Sequence, residues 1–354
     1  MIKNEYYIIG VMSGTSLDGV DLVYVKFDLS KKWHFTIIEA DTISYDENWV
    51  AKLENLVNLS IEELKLVDEE YTHLLASVIN SFITKHKIKN IDAICSHGHT
   101  ALHQPENNLT YQIGNQPIIS KLLGQIVVCD FRVQDVQLGG QGAPLVPIGD
   151  KLLFSNYDFC LNLGGFANLS FDNRNERIAF DICPVNIVLN YYVKQLGYKY
   201  DDKGQLASLG TLNTDLLSHL NDLKFYKLPH PKSLGLEWVR QTIIPLIDEF
   251  DLEIRDILNT FCEHIALQIS KEINKINDVS VLITGGGAYN DYLIDRIKQH
   301  SENKIEIPSK KIIEFKEGLI FALIGVLRLR NEINCLKSVT GASKDHTSGN
   351  IFYP

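Results

Sequence analysis

Tyr6-Tyr7-Ile8-Ile9-Gly10-Val11-Met12-Ser13-Gly14-Thr15-Ser16-Leu17-Asp18-Gly19-Val20-Asp21 is the stretch whose reading decides the fold. An apolar run enters a turn of small and hydroxyl residues, and a second strand-like run, Leu22 to Phe27, follows at once. Gly14 and Gly19 carry no Cβ, so their backbone amides can come close to a ligand. Thr15 and Ser16 add hydroxyl donors. Asp18 and Asp21 are odd neighbours for an anion unless a metal ion lies between carboxylate and phosphate. The arrangement suggests a strand–turn–strand phosphate clamp rather than a strand–loop–helix one. The same residues also suit an ordinary hairpin with a polar tip, because Ser-Gly and Asp-Gly are common turn dipeptides.

A chain of 354 residues predicts about two domains. Its 45% hydrophobic and 22% charged fractions are ordinary globular values. The net charge of −10, from 34 basic against 44 acidic residues, argues against a general binder of nucleic acid or anionic membranes. The six cysteines, at 95, 129, 160, 183, 262 and 335, form no CxxC pair, so neither a zinc knuckle nor a disulfide framework is suggested. Cys95, Cys129 and Cys160 lie in apolar runs and read as buried thiols. No basic-then-apolar leader is seen, and no stretch reaches the ~18 apolar residues of a membrane span, so a cytoplasmic location is expected.

Strands and helices alternate along the chain. Ile91 to Cys95, Ile126 to Asp130, Phe159 to Leu163, Ile178 to Asp181 and Val279 to Thr284 read as short buried strands. Leu64, Val67, Tyr71, Leu74, Leu75, Val78 and Phe82 form one helical stripe, and Ile254, Ile257, Leu258, Phe261, Ile265 and Ile269 another. Gly318 to Leu329 is apolar almost all round, which predicts a helix buried between layers. This order implies an α/β architecture with covered sheets. The loop Leu138 to Pro147, rich in glycine and proline, suggests a domain junction.

Two more glycine clusters follow predicted strands. Asn162-Leu163-Gly164-Gly165-Phe166-Ala167-Asn168 looks like a second hairpin clamp, and Thr284-Gly285-Gly286-Gly287-Ala288-Tyr289-Asn290 ends a strand and opens a helix. Backbone amides at a helix N-terminus favour phosphate or the flat face of a nucleotide. One Gly-Gly is most simply a tight turn. Three such turns at strand ends point to a nucleotide site. No G-x-x-x-x-G-K-[ST] loop and no G-x-G-x-x-G fingerprint is present, so the scaffold must be another.

Two hairpin clamps and a late glycine-rich turn resemble the actin, hexokinase and Hsp70-like ATPases. The match narrows on Gly14-Thr15-Ser16-Leu17-Asp18-Gly19-Val20-Asp21, which is similar to the signature of the anhydro-N-acetylmuramic acid kinases. Further segments agree in order: Ser96-His97-Gly98-His99-Thr100 with His103; Gln112-Ile113-Gly114; Asp130-Phe131-Arg132 with Asp135; Gly139 to Pro147; Asn162 to Asn168; Thr284 to Asn290; and Ser338 to Ser343. The resemblance covers essentially the whole chain. It implies a two-domain actin-like ATPase (duplicated ribonuclease H-like) fold with an interdomain cleft. Residues 1–135 and 340–354 are expected in the first domain and 136–339 in the second.

The resemblance also implies a reaction. ATP and water together open the 1,6-anhydro bridge of 1,6-anhydro-N-acetylmuramic acid and phosphorylate O6, giving N-acetylmuramic acid 6-phosphate and ADP. The cofactors implied are ATP and Mg2+, with Gly14 to Asp21 around the triphosphate and Asp18 near the metal. Gly164, Gly165 and Asn168 are expected at the phosphates, and Gly285, Gly286 and Gly287 near the adenosine. Asp181 is implied as the general base and Glu317 as a second active-site carboxylate; His97 and Arg132 are implied at the sugar. From sequence alone Asp181 also suits an N-cap for a helix over Pro184 to Leu196, Glu317 a first-turn glutamate, and Arg132 an interdomain salt bridge. His97, His99 and His103 lack a closing Cys or Asp, so no metal site is expected there. The family usually has glutamine in place of His99.

One departure is prominent. Where the family shows Thr-Gly-Pro-Gly-Asn after the aspartate, this chain has Ile182-Cys183-Pro184-Val185-Asn186. Cys183 and Val185 add bulk beside the implied base, which is expected to narrow the sugar pocket or shift its specificity. Two other readings stay open: a kinase of this fold for another amino or anhydro sugar, and a nucleotide-dependent switch acting on a protein. The expected partners are ATP and a small amino sugar, with neither nucleic acid nor membrane; a homodimer is left open.

Overall fold

β1 (Glu5–Ser13) and β2 (Val20–Leu29) run antiparallel with Ser13 opposite Val20, so the residues between them form a hairpin turn. The computed structural model describes residues 3–14, 16–174 and 176–354, and the expectation for Thr15 lies outside them. β3 (Trp33–Ile43) continues the meander. β4 (Ala93–Gln104) lies parallel to β1, β5 (Leu109–Ile113) turns back on β4, and β6 (Val127–Cys129) runs parallel to β4. In a second sheet β7 (Phe159–Leu163), β8 (Phe166–Asn173) and β9 (Glu176–Pro184) form an antiparallel meander. β10 (Ser280–Thr284) is parallel to β7, and β11 (Lys304–Glu306) to β10. β12 (Asn350–Phe352) adds to the first sheet, antiparallel to β6.

The two sheets repeat one plan. The first runs β3-β2-β1-β4-β6-β12 with β5 on β4, and the second runs β9-β8-β7-β10-β11. In each, three antiparallel strands meet two parallel ones at the first strand of the meander. This is the duplicated ribonuclease H-like plan of the actin-like ATPases, as expected. β3 and β5 were not legible as strands; β3 is largely half-exposed along its length, so its apolar signal is weak.

The chain divides into two units, Met1–Leu153 with Phe315–Pro354, and Phe154–Glu314. Residues 136–153 and 315–339 therefore group with the first unit, not with the second as the 135/136 and 339/340 boundaries assumed. The reason is packing. The helix Lys310–Leu329 lies against the first sheet so closely that a Cβ on Gly10 would stand 2.1 Å from the Gly318 carbonyl oxygen. A Cβ on Gly325 would stand 2.1 Å from Cys95 Sγ, and one on Gly149 would stand 2.4 Å from Ile320 Cγ1. Leu319 to Ile324 are all buried, which is why that segment is apolar all round.

The helix Ile61–Lys85 also packs into the first unit's core, through Leu64, Tyr71, Leu75, Ile79 and Phe82. Its start is a capping box: Ser60 Oγ accepts the Glu63 N–H and Glu63 accepts the Ser60 N–H. In the second unit the stripe Ile257, Leu258, Phe261, Ile265 and Ile269 of the helix Ile254–Ile273 joins the core around β7 to β10. All six cysteines are buried and free. No helix among the described residues is long and apolar enough to cross a membrane.

Gly10→Val should force the strand and the helix Lys310–Leu329 apart. Overpacking of this kind costs about 1–3 kcal/mol, read as a lower urea midpoint. An unchanged midpoint would show that the two separate freely.

Candidate active site

In the first unit the turn after β1 is closed by Leu17 N–H donating to the Gly14 carbonyl at 3.3 Å, with Leu17 at φ 59°. Gly19 is demanded by packing: at φ 156° its Cβ would stand 2.4 Å from the Ile43 carbonyl oxygen. Gly14 is different, since among the described residues its Cβ would meet nothing nearer than Ser16 Oγ at 3.7 Å. The room above Gly14 is thus available to a group from outside the turn. Asp18 is exposed, while Asp21 accepts a hydrogen bond from Thr42 Oγ1 across the sheet at 2.5 Å. Beneath the turn, Ser13 shares hydrogen bonds with His99 Nδ1 at 2.8 Å and Tyr45 at 2.6 Å, and Tyr45 with Tyr71 at 2.6 Å. Burial pulls the His99 pKa down to about 4, so this chain is neutral.

Arg132 follows β6 and is locked by two bonds. Its Nε donates to His97 Nε2 at 2.8 Å and its Nη1 to the Gly142 carbonyl at 2.6 Å. His97 must therefore carry its hydrogen on Nδ1, which donates to the Gly98 carbonyl at 2.9 Å. Burial, then the Arg132 charge, holds the His97 pKa well below its ordinary value. The His97 ring also packs on Phe321 of the long helix at 4.6 Å. Glu317 keeps solvent contact, yet desolvation by the surrounding protein raises its carboxyl pKa, opposed by Arg132 and then Lys316. Lys316 itself is buried and paired with Asp150 at 2.7 Å. Asp135 fixes the Gly139–Pro147 loop by accepting the Gly142 N–H at 2.7 Å.

In the second unit the strand pair β8–β9 is irregular at one place. Ala167 faces Cys183 and Asn168 faces Asp181, so Ile182 is an extra residue on β9. Such a bulge re-aims the neighbouring side chains. Asn168 Nδ2 donates to Asp181 Oδ1, and Leu234 N–H donates to Oδ2 at 2.7 Å. The Asp181 N–H in turn reaches the Lys232 carbonyl at 3.0 Å. Burial raises the Asp181 pKa, against the lowering by those two donors. The hairpin Gly164-Gly165 meets the start of the helix Asn186–Lys194, with Asn186 Nδ2 donating to the Gly164 carbonyl at 2.8 Å and Val185 N–H to that of Gly165 at 2.8 Å. After β10, Gly285 has φ 83°, and a Cβ there would stand 2.7 Å from Asn162 Oδ1. A Cβ on Gly287 would stand 2.7 Å from Leu163 Cβ, whereas one on Gly286 meets only Asn186 Nδ2, at 3.7 Å.

This geometry, two glycine hairpins and a held carboxylate on a repeated sheet, has relatives. A model of the anhydro-N-acetylmuramic acid kinase family matches residues 5–354. The anhydro-N-acetylmuramic acid kinase of Shewanella denitrificans is 34% identical over 368 residues, spanning 99% of this chain and 98% of that one. That of Haemophilus influenzae is 32% identical over 390 residues, spanning 99% and 98%. The chain belongs to the anhydro-N-acetylmuramic acid kinase family.

In this member of the kinase family His97, Arg132 and Glu317 are brought together in the first unit, and Asn168 and Asp181 in the second. His97, His99 and His103 each take a different hydrogen-bond partner, Arg132, Ser13 and Thr110, and none belongs to a cluster of potential metal ligands among the described residues. Asp181 is no helix cap, because the following helix starts at Asn186 with Val185 before it. Cys183 and Val185 are fully buried and belong to the second unit's core. The helix after the third turn begins only at Asp291, where the Asn290 side chain caps it by accepting the Leu293 N–H. The Ser13–Tyr45–Tyr71 chain and the Lys316–Asp150 pair escaped the sequence reading, because their members are far apart in sequence.

Gly287→Val should destabilise the second unit by about 1–3 kcal/mol, as overpacking does. Thermal unfolding followed by circular dichroism checks this, and a melting point equal to wild type would remove the packing role of Gly287.

Proposed function

We propose that the residues described above divide the family's reaction between them. The chain is an ATP-dependent sugar kinase that opens the anhydro ring of 1,6-anhydro-N-acetylmuramic acid and phosphorylates O6. Asp181 is the general base for the attacking water. The observation that carries this role is its carboxylate, held by Asn168 and the Leu234 N–H at a bulge. A carboxylate has about four acceptor sites. Two are used for orientation, which leaves capacity for the water's proton. The upward pKa shift, caused by burial, makes the carboxylate a better base. As the water's proton moves to Asp181, its oxygen bonds to the anomeric carbon and the bridge oxygen leaves toward C6. That oxygen then attacks the γ-phosphorus, and ADP departs.

Arg132 and Glu317 bind and orient the sugar. Two of the Arg132 donors are committed to His97 and Gly142, which fixes the guanidinium plane for a ligand. Gly14, Gly164, Gly165 and Gly286 admit the nucleotide; at Gly14, Gly165 and Gly286 a Cβ would meet no described atom nearer than 3.7 Å, while at Gly164 it would press on Asn162 Nδ2 at 3.3 Å. Gly19, Gly285 and Gly287 shape the turns through packing. Asp18 is exposed and would offer magnesium a hard carboxylate oxygen of the kind that ion accepts. When bound, the metal neutralises charge on the transferring phosphoryl group.

Gly286→Val should keep the wild-type melting point, since its Cβ meets no crowding, and yet weaken ATP binding in calorimetry at least tenfold. Unchanged affinity would count against adenosine approach at this turn. Asp181→Asn should leave ATP affinity nearly intact and lower turnover about 10²–10⁴-fold, with sugar 6-phosphate and ADP falling together. In the wild type, kcat/KM should drop on the acid side as Asp181 is protonated, above the ordinary carboxylate range because its pKa is raised. Near wild-type release of both products by Asp181→Asn would mean another group is the base.

A further inference from the structure

We propose that Asp135, Cys335 and His346 form a binding site for one zinc-class divalent ion in the first unit. Each offers one ligand atom, and the three atoms lie within 4.8 Å of one another. All three side chains are buried, at 0%, 1% and 5% exposure. Asp135 comes from the short helix Val133–Gln137, while Cys335 and His346 face each other across an antiparallel bridge near the C-terminus.

The deciding atom is His346 Nε2. Its ring partner Nδ1 lies 3.2 Å from the Lys344 carbonyl, which can only accept, so Nδ1 carries the hydrogen. In the neutral ring Nε2 then presents a lone pair. It is buried and has no hydrogen-bond partner among the described residues. Its charged neighbour is Asp135 Oδ1 at 3.6 Å, also electron-rich. Two acceptors facing each other in a dry interior repel unless a positive centre lies between them. A proton could serve, making an imidazolium–carboxylate pair. The Cys335 sulfur is a third, softer donor atom that an ion pair does not need and a metal would use.

The dimensions agree. Zinc bonds of about 2.0–2.2 Å to nitrogen and oxygen place those two ligands about 3.3–3.5 Å apart in a tetrahedron, and the 3.6 Å separation needs an inward shift of only about a tenth of an ångström to meet it. A sulfur, an imidazole nitrogen and one carboxylate oxygen suit zinc and not magnesium or calcium. The outer contacts are also those of a metal site: His346 Nδ1–H donates to a carbonyl, and Asp135 accepts the Thr340 hydroxyl and the Gly142 N–H, each at 2.7 Å. Binding would release the Cys335 proton to solvent as the S–metal bond forms. The ion would tie the C-terminal segment to the turn that carries Arg132 and the Gly139–Pro147 loop.

The test uses the full chain, stripped with a chelator, dialysed, and titrated with Zn2+ or Co2+. One equivalent per chain is expected by mass spectrometry of bound metal. The Co2+ form should show tetrahedral bands and a thiolate-to-cobalt charge-transfer band. Cys335→Ala should abolish that band. His346→Gln should weaken Zn2+ binding more than about 100-fold, beyond the 10–100-fold typical of outer-shell losses. Less than about one tenth of an equivalent in the wild type, or a cobalt spectrum without thiolate charge transfer, overturns the proposal in favour of the protonated ion pair. Because both readouts are made on wild-type protein, they decide the matter even if a variant fails to fold.

Discussion

The first unit depends on one close approach, that of the helix Lys310–Leu329 to strands β1 and β4. Backbone meets backbone at Gly10 and Gly318, and side chain meets bare backbone at Gly325 and Cys95. Contact at that distance leaves no room for water, so the helix must be apolar on every side there. It also fixes what the helix carries. Phe321 packs on the His97 ring, and Glu317, one turn earlier, stands where its charge meets those of Arg132 and Lys316. A packing constraint thus sets the electrostatics of a site several residues away from it.

The polar groups that this packing buries are satisfied in a specific way. His97 is kept neutral, which lets Nε2 accept from Arg132 and makes the histidine a rest for the guanidinium instead of a competing cation. Lys316 is buried against Asp150. Such pairs add little net stability, because desolvation offsets attraction. Their effect is geometric: removing one partner leaves an uncompensated charge, so alternative arrangements of the Arg132 region are disfavoured.

The second unit achieves precision by an irregularity. A regular β8–β9 pair would give Ile182 a cross-strand partner and change which residues stand beside Asn168. The single extra residue sets Asp181 opposite Asn168, while Leu234 supplies a backbone donor from a distant loop. Cys183 and Val185, next in the chain, are part of the core.

The sequence by itself determined the fold class, the hairpin glycine turns, the buried helix and the family. Those are local signals, carried by period, by turn chemistry and by short ordered motifs such as Gly14 to Asp21. It also singled out Asp181, Arg132, His97 and Glu317, through resemblance to a family. Only the tertiary structure decided which glycines are held by packing and which leave room, because Gly285, Gly286 and Gly287 are alike until Leu163 lies beside two of them. It likewise decided the domain limits, since residues 315–339 follow the sheet they pack on and not their neighbours in sequence. The meeting of Asp135 with Cys335 and His346 is the extreme case. Two hundred residues separate Asp135 from Cys335, and no periodicity or spacing rule reaches that far; only the folded backbone sets the three donor atoms side by side.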